Sequence, residues 1–417
     1  MMLLEKELKI DSAAALERLK SVVKRTPLEY NDRLSEKYQC EIYLKREDLQ
    51  IVRSYKLRGA YNMISQLNQE QLDRGVVCAS AGNHAQGVAY SCNRLGTKGI
   101  IFMPEITPKQ KVNQTKMFGN GQVEIILTGD TFDDCLREAL LYTEKHGMTF
   151  VPPFDHPLII EGQGTVGVEI LQQLPDVEVM ILPVGGGGLA AGIGNYFRQA
   201  KPNTLLIGTE PEGAPSMYEA FRSQHPVTLD SINKFVDGAS VKRVGALNYQ
   251  LCKEALSEML LIPEGKVCTT ILKLYNDDAI VAEPAGALSV SALDFCKDKI
   301  IGKKVVCVIS GGNNDIDRLQ EIKERSLLYE GLKHYFIVRF PQRPGALRLF
   351  ANEVLGPNDD ITRFEFVKKT ERESGPALVG IELKDRKDYN SLISRMKENR
   401  FDYKEINNDN NLFEYFI

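Results

Sequence analysis

The sequence predicts an α/β protein with two open α/β subdomains around a cleft, followed by a C-terminal ferredoxin-like α+β domain. Three observations carry this. From residue 40 to about 310, short apolar runs alternate with amphipathic helical stretches. Each run is nearly continuous in Val, Ile and Leu, the composition of parallel strands covered on both faces. Beyond about residue 330 the order becomes β-α-β-β-α-β, with strands that alternate apolar and polar as an antiparallel sheet with one wet face does.

The opening Met1-Met2-Leu3-Leu4-Glu5-Lys6-Glu7 is too charged, and too short in apolar length, for a signal peptide. Strands are expected at Glu41–Leu44, Gly75–Ala79, Gly99–Met103, Gln122–Leu127, Val179–Val184, Thr204–Gly208 and Lys304–Ile309. Three of these end in glycines or hydroxyls at the C-terminal edge, where open α/β sheets bind ligands. The first domain is expected to span 1–325, with a smaller subdomain at about 57–152, and the second 332–417. Asp317–Tyr329 reads as a polar, helical connector. The tail then reads as strand His334–Phe340, a helix from Pro344, strands Ile361–Lys369 and Pro376–Leu383, helix Lys387–Arg400 and strand Phe401–Ile406.

At 417 residues the chain is longer than one core usually supports, so two or three domains are expected. A net charge of −4 with dispersed Lys and Arg leaves no footprint for nucleic acid. No apolar stretch is long enough for a membrane span. The eight cysteines include no Cys-x-x-Cys pair, which suits a reduced, cytoplasmic protein. The five histidines form no i, i+4 pair, and no metal site is expected. Glu210, at a strand end, reads by default as a solvated carboxylate, with a part in holding a cation left open.

Three motifs and one lysine carry chemistry. Gly185, Gly186, Gly187 and Gly188 follow a strand and precede the helical stretch Leu189–Gln199. Backbone free of Cβ atoms can curl round a phosphate, present its N–H groups and aim a helix N-terminus at it; a flexible turn is the plain alternative. Lys56 follows an acidic turn, Lys45–Asp48, at the start of a helix whose partial positive charge favours the neutral amine. A desolvated lysine is the usual amine for a Schiff base. Ser80-Ala81-Gly82-Asn83-His84 leaves a strand for a helix and can offer N–H groups to a carboxylate, or merely cap the helix. Ser310-Gly311-Gly312-Asn313 ends another strand in an exposed hydroxyl. A dinucleotide fingerprint, Gly185-x-Gly187-x-x-Ala190 with Glu210 downstream, competes, but leaves Lys56 and the Ser80 loop idle.

Together these motifs, in this order, resemble the β-family (fold type II) of pyridoxal-phosphate enzymes, and within it the threonine dehydratases. The tail, through Phe340–Leu347 and Leu355–Thr362, resembles their ACT-like regulatory domain; many relatives carry two such modules, and only one fits here. The resemblance implies pyridoxal 5'-phosphate held by Lys56, with its phosphate on the backbone of Gly185, Gly186, Gly187, Gly188 and Leu189. It further implies Asn83 at the ring's 3′ oxygen, Ser310 at the pyridine nitrogen and Tyr55 beside the ring. Ser80, Ala81, Gly82, Asn83 and His84 would hold the substrate carboxylate. The implied activity is a lyase reaction on L-threonine giving 2-oxobutanoate and ammonia, the first step of isoleucine biosynthesis, in a homo-oligomer (dimer or tetramer). L-isoleucine is the implied effector, bound near Pro341–Ala346 and Asp359–Arg363. Serine dehydratase, serine racemase, threonine synthase and a catalytically dead amino-acid sensor stay open as alternatives.

Overall fold

In the computed structural model, which describes residues 10–366 and 373–409, all seven apolar runs of the first domain are strands. The signal-peptide reading of Met1–Glu7 and the end of the second tail strand, 367–369, lie outside the described residues. The chain divides into two units, Met1–Asp315 and Ile316–Ile417.

The first unit holds two sheets. A six-stranded sheet runs in the order Leu28–Tyr30, Glu41–Arg46, Lys304–Ile309, Val179–Pro183, Leu205–Pro211, Glu258–Ile262, parallel except for its first strand. A smaller, fully parallel sheet runs Val123–Leu127, Gly99–Met103, Val76–Ala79, Thr149–Phe150. Strands Val76–Ala79, Gly99–Met103 and Val179–Pro183 are buried at every residue, which is why they read as unbroken apolar runs. All eight cysteines lie in this unit as buried thiols.

Helices approach one another here at glycines. A Cβ on Gly162, in helix Pro157–Gln173, would stand 2.7 Å from the Cα of Gly59 in helix Lys56–Ile64. A Cβ on Gly192, in helix Gly188–Ala200, would stand 2.4 Å from the Ile160 carbonyl oxygen and 2.6 Å from the Gly164 nitrogen. A Cβ on Gly87, in helix Asn83–Leu95, would meet the Lys56 carbonyl oxygen at 3.1 Å. The helices bearing Lys56, Asn83 and the glycine loop are thus spaced by backbone contact.

The acidic turn Lys45–Asp48 is buried. Lys45 and Arg46 end a strand, Glu47–Leu49 is a 3-10 turn, and Lys45 and Glu47 are 0% exposed. Arg58 bridges Glu47 at 2.8 Å and Glu169 at 2.7 Å, Lys45 reaches Glu169 at 2.6 Å, and Thr26 donates to Glu47 at 2.5 Å. The cluster ties the helix of Lys56 to the large sheet and to helix Pro157–Gln173.

The second unit opens with helix Leu319–Glu330, followed by a sheet in the order Asp360–Phe366, Ser374–Glu382, Lys333–Pro341, Asp402–Glu405, antiparallel throughout. Helices Ala346–Glu353 and Asp388–Glu398 complete the ferredoxin-like order. Phe340 packs against Phe350, Phe364 and Phe401 with ring centroids 5.2–5.7 Å apart. Of the segments expected to hold an effector, Gly345 takes a left-handed φ of 87° at the start of its helix. The Asp359 carboxylate is already engaged, by Arg395 at 3.1 Å and the Gly356 N–H at 2.6 Å.

Removing one member of a buried ion cluster leaves its partners charged and unpaired, which costs about 3–5 kcal/mol. Arg58→Met is therefore expected to lower stability by that order, read as a fall in the urea midpoint; an unchanged midpoint would mean that the cluster does not hold this helix.

Candidate active site

Strands Val76–Ala79, Val179–Pro183 and Lys304–Ile309 all release the chain at their C-terminal ends into one cleft. Tyr55, Lys56, Asn83, Gly185, Glu283 and Ser310 line the cleft.

Lys56 is the first residue of its helix, and its Nζ donates to the Pro153 carbonyl at 3.0 Å. Burial lowers the amine to about 8, against the opposing charge of Glu283. Nζ lies 5.5 Å from the centre of the Tyr55 ring. An amine near 8 is neutral often enough around neutral pH to act as nucleophile and base.

Gly186, Gly187 and Gly188 are buried, and Gly185 is half-buried. Among the described residues, none of the backbone N–H groups from Gly185 to Leu189 has a protein acceptor. Their carbonyls do have donors. The Gly186 oxygen accepts from Asn248 Nδ2 at 2.7 Å and from the Gly245 N–H at 3.3 Å, and the Gly187 oxygen from the Ala191 N–H at 2.8 Å. In a trans peptide the next N–H points the opposite way. Buried N–H groups left open in this manner, at a helix N-terminus, suit a phosphate. The glycines answer a second demand as well. A Cβ on Gly186 would lie 2.3 Å from the Phe154 ring, and one on Gly187, at φ 94°, 2.9 Å from Asn248 Cβ. Side chains there would strike the protein wall.

Asn83 is held from two sides. Its Nδ2 donates to Glu283 Oε1 at 2.6 Å, and its Oδ1 accepts from Asn313 Nδ2 at 2.7 Å. The helix is capped by Gly82 without any side-chain bond, so neither Ser80 nor Asn83 caps it; Ser80 Oγ instead accepts the Gly82 N–H at 3.2 Å. Ser80, Ala81 and Gly82 are half-buried, and open space surrounds Gly82 where a Cβ would stand. The His84 ring faces inward, with Nε2 donating to the Val151 carbonyl at 2.9 Å. Burial, with Lys56 nearby, depresses its pKa to about 3, so the ring is neutral and offers no charge to a carboxylate. Ser310 is 3% exposed rather than open to solvent, and its carbonyl accepts the Tyr55 N–H at 3.2 Å.

Glu210 is not solvated. It is 0% exposed and accepts the N–H groups of Met217 at 2.8 Å and Tyr218 at 2.9 Å, at the start of helix Ser216–Ser223; burial pushes its pKa up to about 8. Two features escaped the sequence reading. Glu283 is one. The other is the strap Val151–Asp155, which supplies carbonyls to His84 and Lys56, the Phe154 wall, and an Asp155 carboxylate that caps helix Ala246–Ala255 through three N–H groups at 2.9–3.2 Å. An acid or His directly before proline (Glu283-Pro284, His156-Pro157) marks both helix starts, and was the available signal.

Comparison with known proteins agrees with this geometry. Residues 19–311 match the family described as pyridoxal-phosphate dependent enzyme, and 324–417 match the C-terminal regulatory domain of threonine dehydratase. The chain is 58% identical over 404 residues to the biosynthetic L-threonine dehydratase of Bacillus subtilis, covering 97% of this chain and 96% of that protein. It is 56% identical over 408 residues to that of Halalkalibacterium halodurans, covering 98% of each. Among solved structures, processed threonine deaminase isoform 2 from Solanum lycopersicum superposes with a TM-score of 0.73 at 39% identity, over 78% of this chain and 94% of that one.

Gly186→Val must displace Phe154, and is expected to lose pyridoxal phosphate on dialysis while its far-UV circular dichroism is retained. Phe154→Ala should restore part of the retention to Gly186→Ala. Retention unchanged by Gly186→Val would mean that the loop does not hold the phosphate.

Proposed function

We propose the reaction from one premise: the chain belongs to the pyridoxal-phosphate dependent enzymes, in the branch of the biosynthetic threonine dehydratases. It converts L-threonine to 2-oxobutanoate and ammonia, the committed step toward isoleucine. The observation that supports this most directly is a lysine amine lowered to about 8 in the same cavity as Asn83, Ser310 and the first residue of the glycine loop.

The residues present fit the cofactor. Lys56 would hold it covalently, the N–H groups of Gly185, Gly186, Gly187, Gly188 and Leu189 would take its phosphate, and Asn83 would take the ring oxygen. Ser310 meets the pyridine nitrogen and Tyr55 packs beside the ring. Pyridoxal phosphate supplies an electron sink for the charge that α-proton removal leaves behind. The amine of Lys56 would be the base that removes this proton. Ser310 offers a hydroxyl where a carboxylate would keep the ring nitrogen protonated, which weakens the sink and favours loss of the β-hydroxyl over transamination. The N–H groups of Ser80–His84 orient the substrate carboxylate, His84 through its backbone alone. The α-proton and β-hydroxyl leave as water; water returns when the enamine hydrolyses, so the net products are oxo acid and ammonia.

The protein works in the cytoplasm as a homo-oligomer, and its second unit binds L-isoleucine as feedback effector. An effector acts by binding one state of the enzyme better than another.

Lys56→Ala is expected to abolish oxo-acid formation from threonine and serine and to remove the visible absorbance of bound cofactor, with the fold retained. Turnover near normal in a folded variant would overturn the mechanism. Isoleucine is expected to raise the apparent KM for threonine, and truncation after Asp315 to abolish that response while leaving activity. Calorimetry on the full chain that shows no heat of isoleucine binding, with kinetics indifferent to it, would remove the effector from this reading.

A further inference from the structure

The Asn83 amide has two N–H groups and two lone pairs to place. Glu283 Oε1 takes one N–H at 2.6 Å, and Asn313 Nδ2 fills a lone pair at 2.7 Å. Turning the amide over would set its oxygen against a carboxylate and its nitrogen against another NH₂, so the orientation is fixed and one N–H is left toward the cavity. Glu283 has little freedom itself. It caps helix Pro284–Ser291, its N–H donates to the Gly311 carbonyl at 3.1 Å, and a Cβ on Gly311 would lie 2.4 Å from its Oε1. It is 5% exposed and lines the cleft beside Lys56 and Ser310.

We propose that Glu283 is the positioning residue of the cofactor ring: as a carboxylate it locks the Asn83 amide with an N–H toward the ring oxygen, and on protonation it releases that lock. A protonated Glu283 no longer takes the Asn83 N–H as a carboxylate does, so Asn313 alone holds the amide and its second N–H is no longer fixed toward the ring oxygen. The proposal rests on the functional reading above.

The groups facing Glu283 are Lys56 and Tyr55 from the lysine helix, Asp237 and Lys111 from across the cleft mouth, where they pair at 2.8 Å, and the Asn313 N–H. Burial, aided by Asp237, raises the carboxyl to about 7, against the hydrogen bond from Asn83, the charge of Lys111 and the Asn313 N–H. A raised carboxyl pKa places the switch near neutrality: the lock is set above about 7 and lost as pH falls through it.

The test is Glu283→Gln in the full-length holoenzyme, followed by visible absorbance of bound pyridoxal phosphate and by kcat, both across pH 5.5–9. In the parent protein the absorbance should shift, and kcat fall, with a shared midpoint near 7. In Glu283→Gln both transitions should vanish and kcat at pH 8 should drop roughly ten- to hundredfold, the scale for loss of a partner that orients a site ligand. Glu283→Asp, which keeps the carboxylate, should restore a titrating absorbance with a displaced midpoint, and serves as the test if the glutamine variant fails to fold. Persistence of both parental transitions in Glu283→Gln would overturn the proposal. A parent protein with no cofactor absorbance and no oxo-acid product would instead overturn the functional reading.

Discussion

Everything at the site depends on backbone touching backbone. Lys56, Asn83 and the glycine loop each sit at the first turn of a different helix, and those helices can bring their ends together only if nothing stands between them. Gly59 against Gly162, Gly164 against Gly192, and Gly87 against the Lys56 peptide remove the side chains that would hold them apart. Such contacts gain close packing and leave no slack, since a single methyl group would have to displace a main chain. The buried cluster of Arg58, Glu47, Glu169 and Lys45 then fixes the rotation of the lysine helix. Spacing comes from glycine and orientation from charge.

The fold was legible wherever local sequence and tertiary environment agree. Strands buried on both faces announce themselves as apolar runs, and the tail's alternation survives as a four-stranded antiparallel sheet. Glu258–Ile262 and Thr149–Phe150 escaped because the first sits at a sheet edge, partly exposed, and the second is two residues long. The lysine, the glycine loop, Asn83 and Ser310 were legible because each motif follows a strand. Glu283, Asn248 and Asp155 were not, because their importance lies in partners up to 200 residues away: an isolated acid or amide looks the same whether it faces water or a cleft. Glu210 shows the opposite error: an acid read as solvated is buried against helix N–H groups.

The pKa pattern in the cleft follows from the same burial. Desolvation lowers the Lys56 amine and the His84 ring and raises Glu283 and Tyr55, each toward its neutral form. The cavity therefore resists charge in its own groups.

The eight buried cysteines have a use of their own. Cys78 and Cys307 lie one in each sheet and the others in the helices and turns around them, and burial pushes the thiols of Cys78, Cys92, Cys252 and Cys307 upward, so the reactive thiolate is scarce as well as inaccessible. Any alkylation by a thiol reagent then reports the moment at which the structure around that sulfur has opened. Cys78 and Cys92 would register loosening of the small sheet, Cys307 the central strand beside Ser310, and Cys252 the helix behind the glycine loop. The chain carries a set of native clocks for local unfolding, already placed around its active cleft.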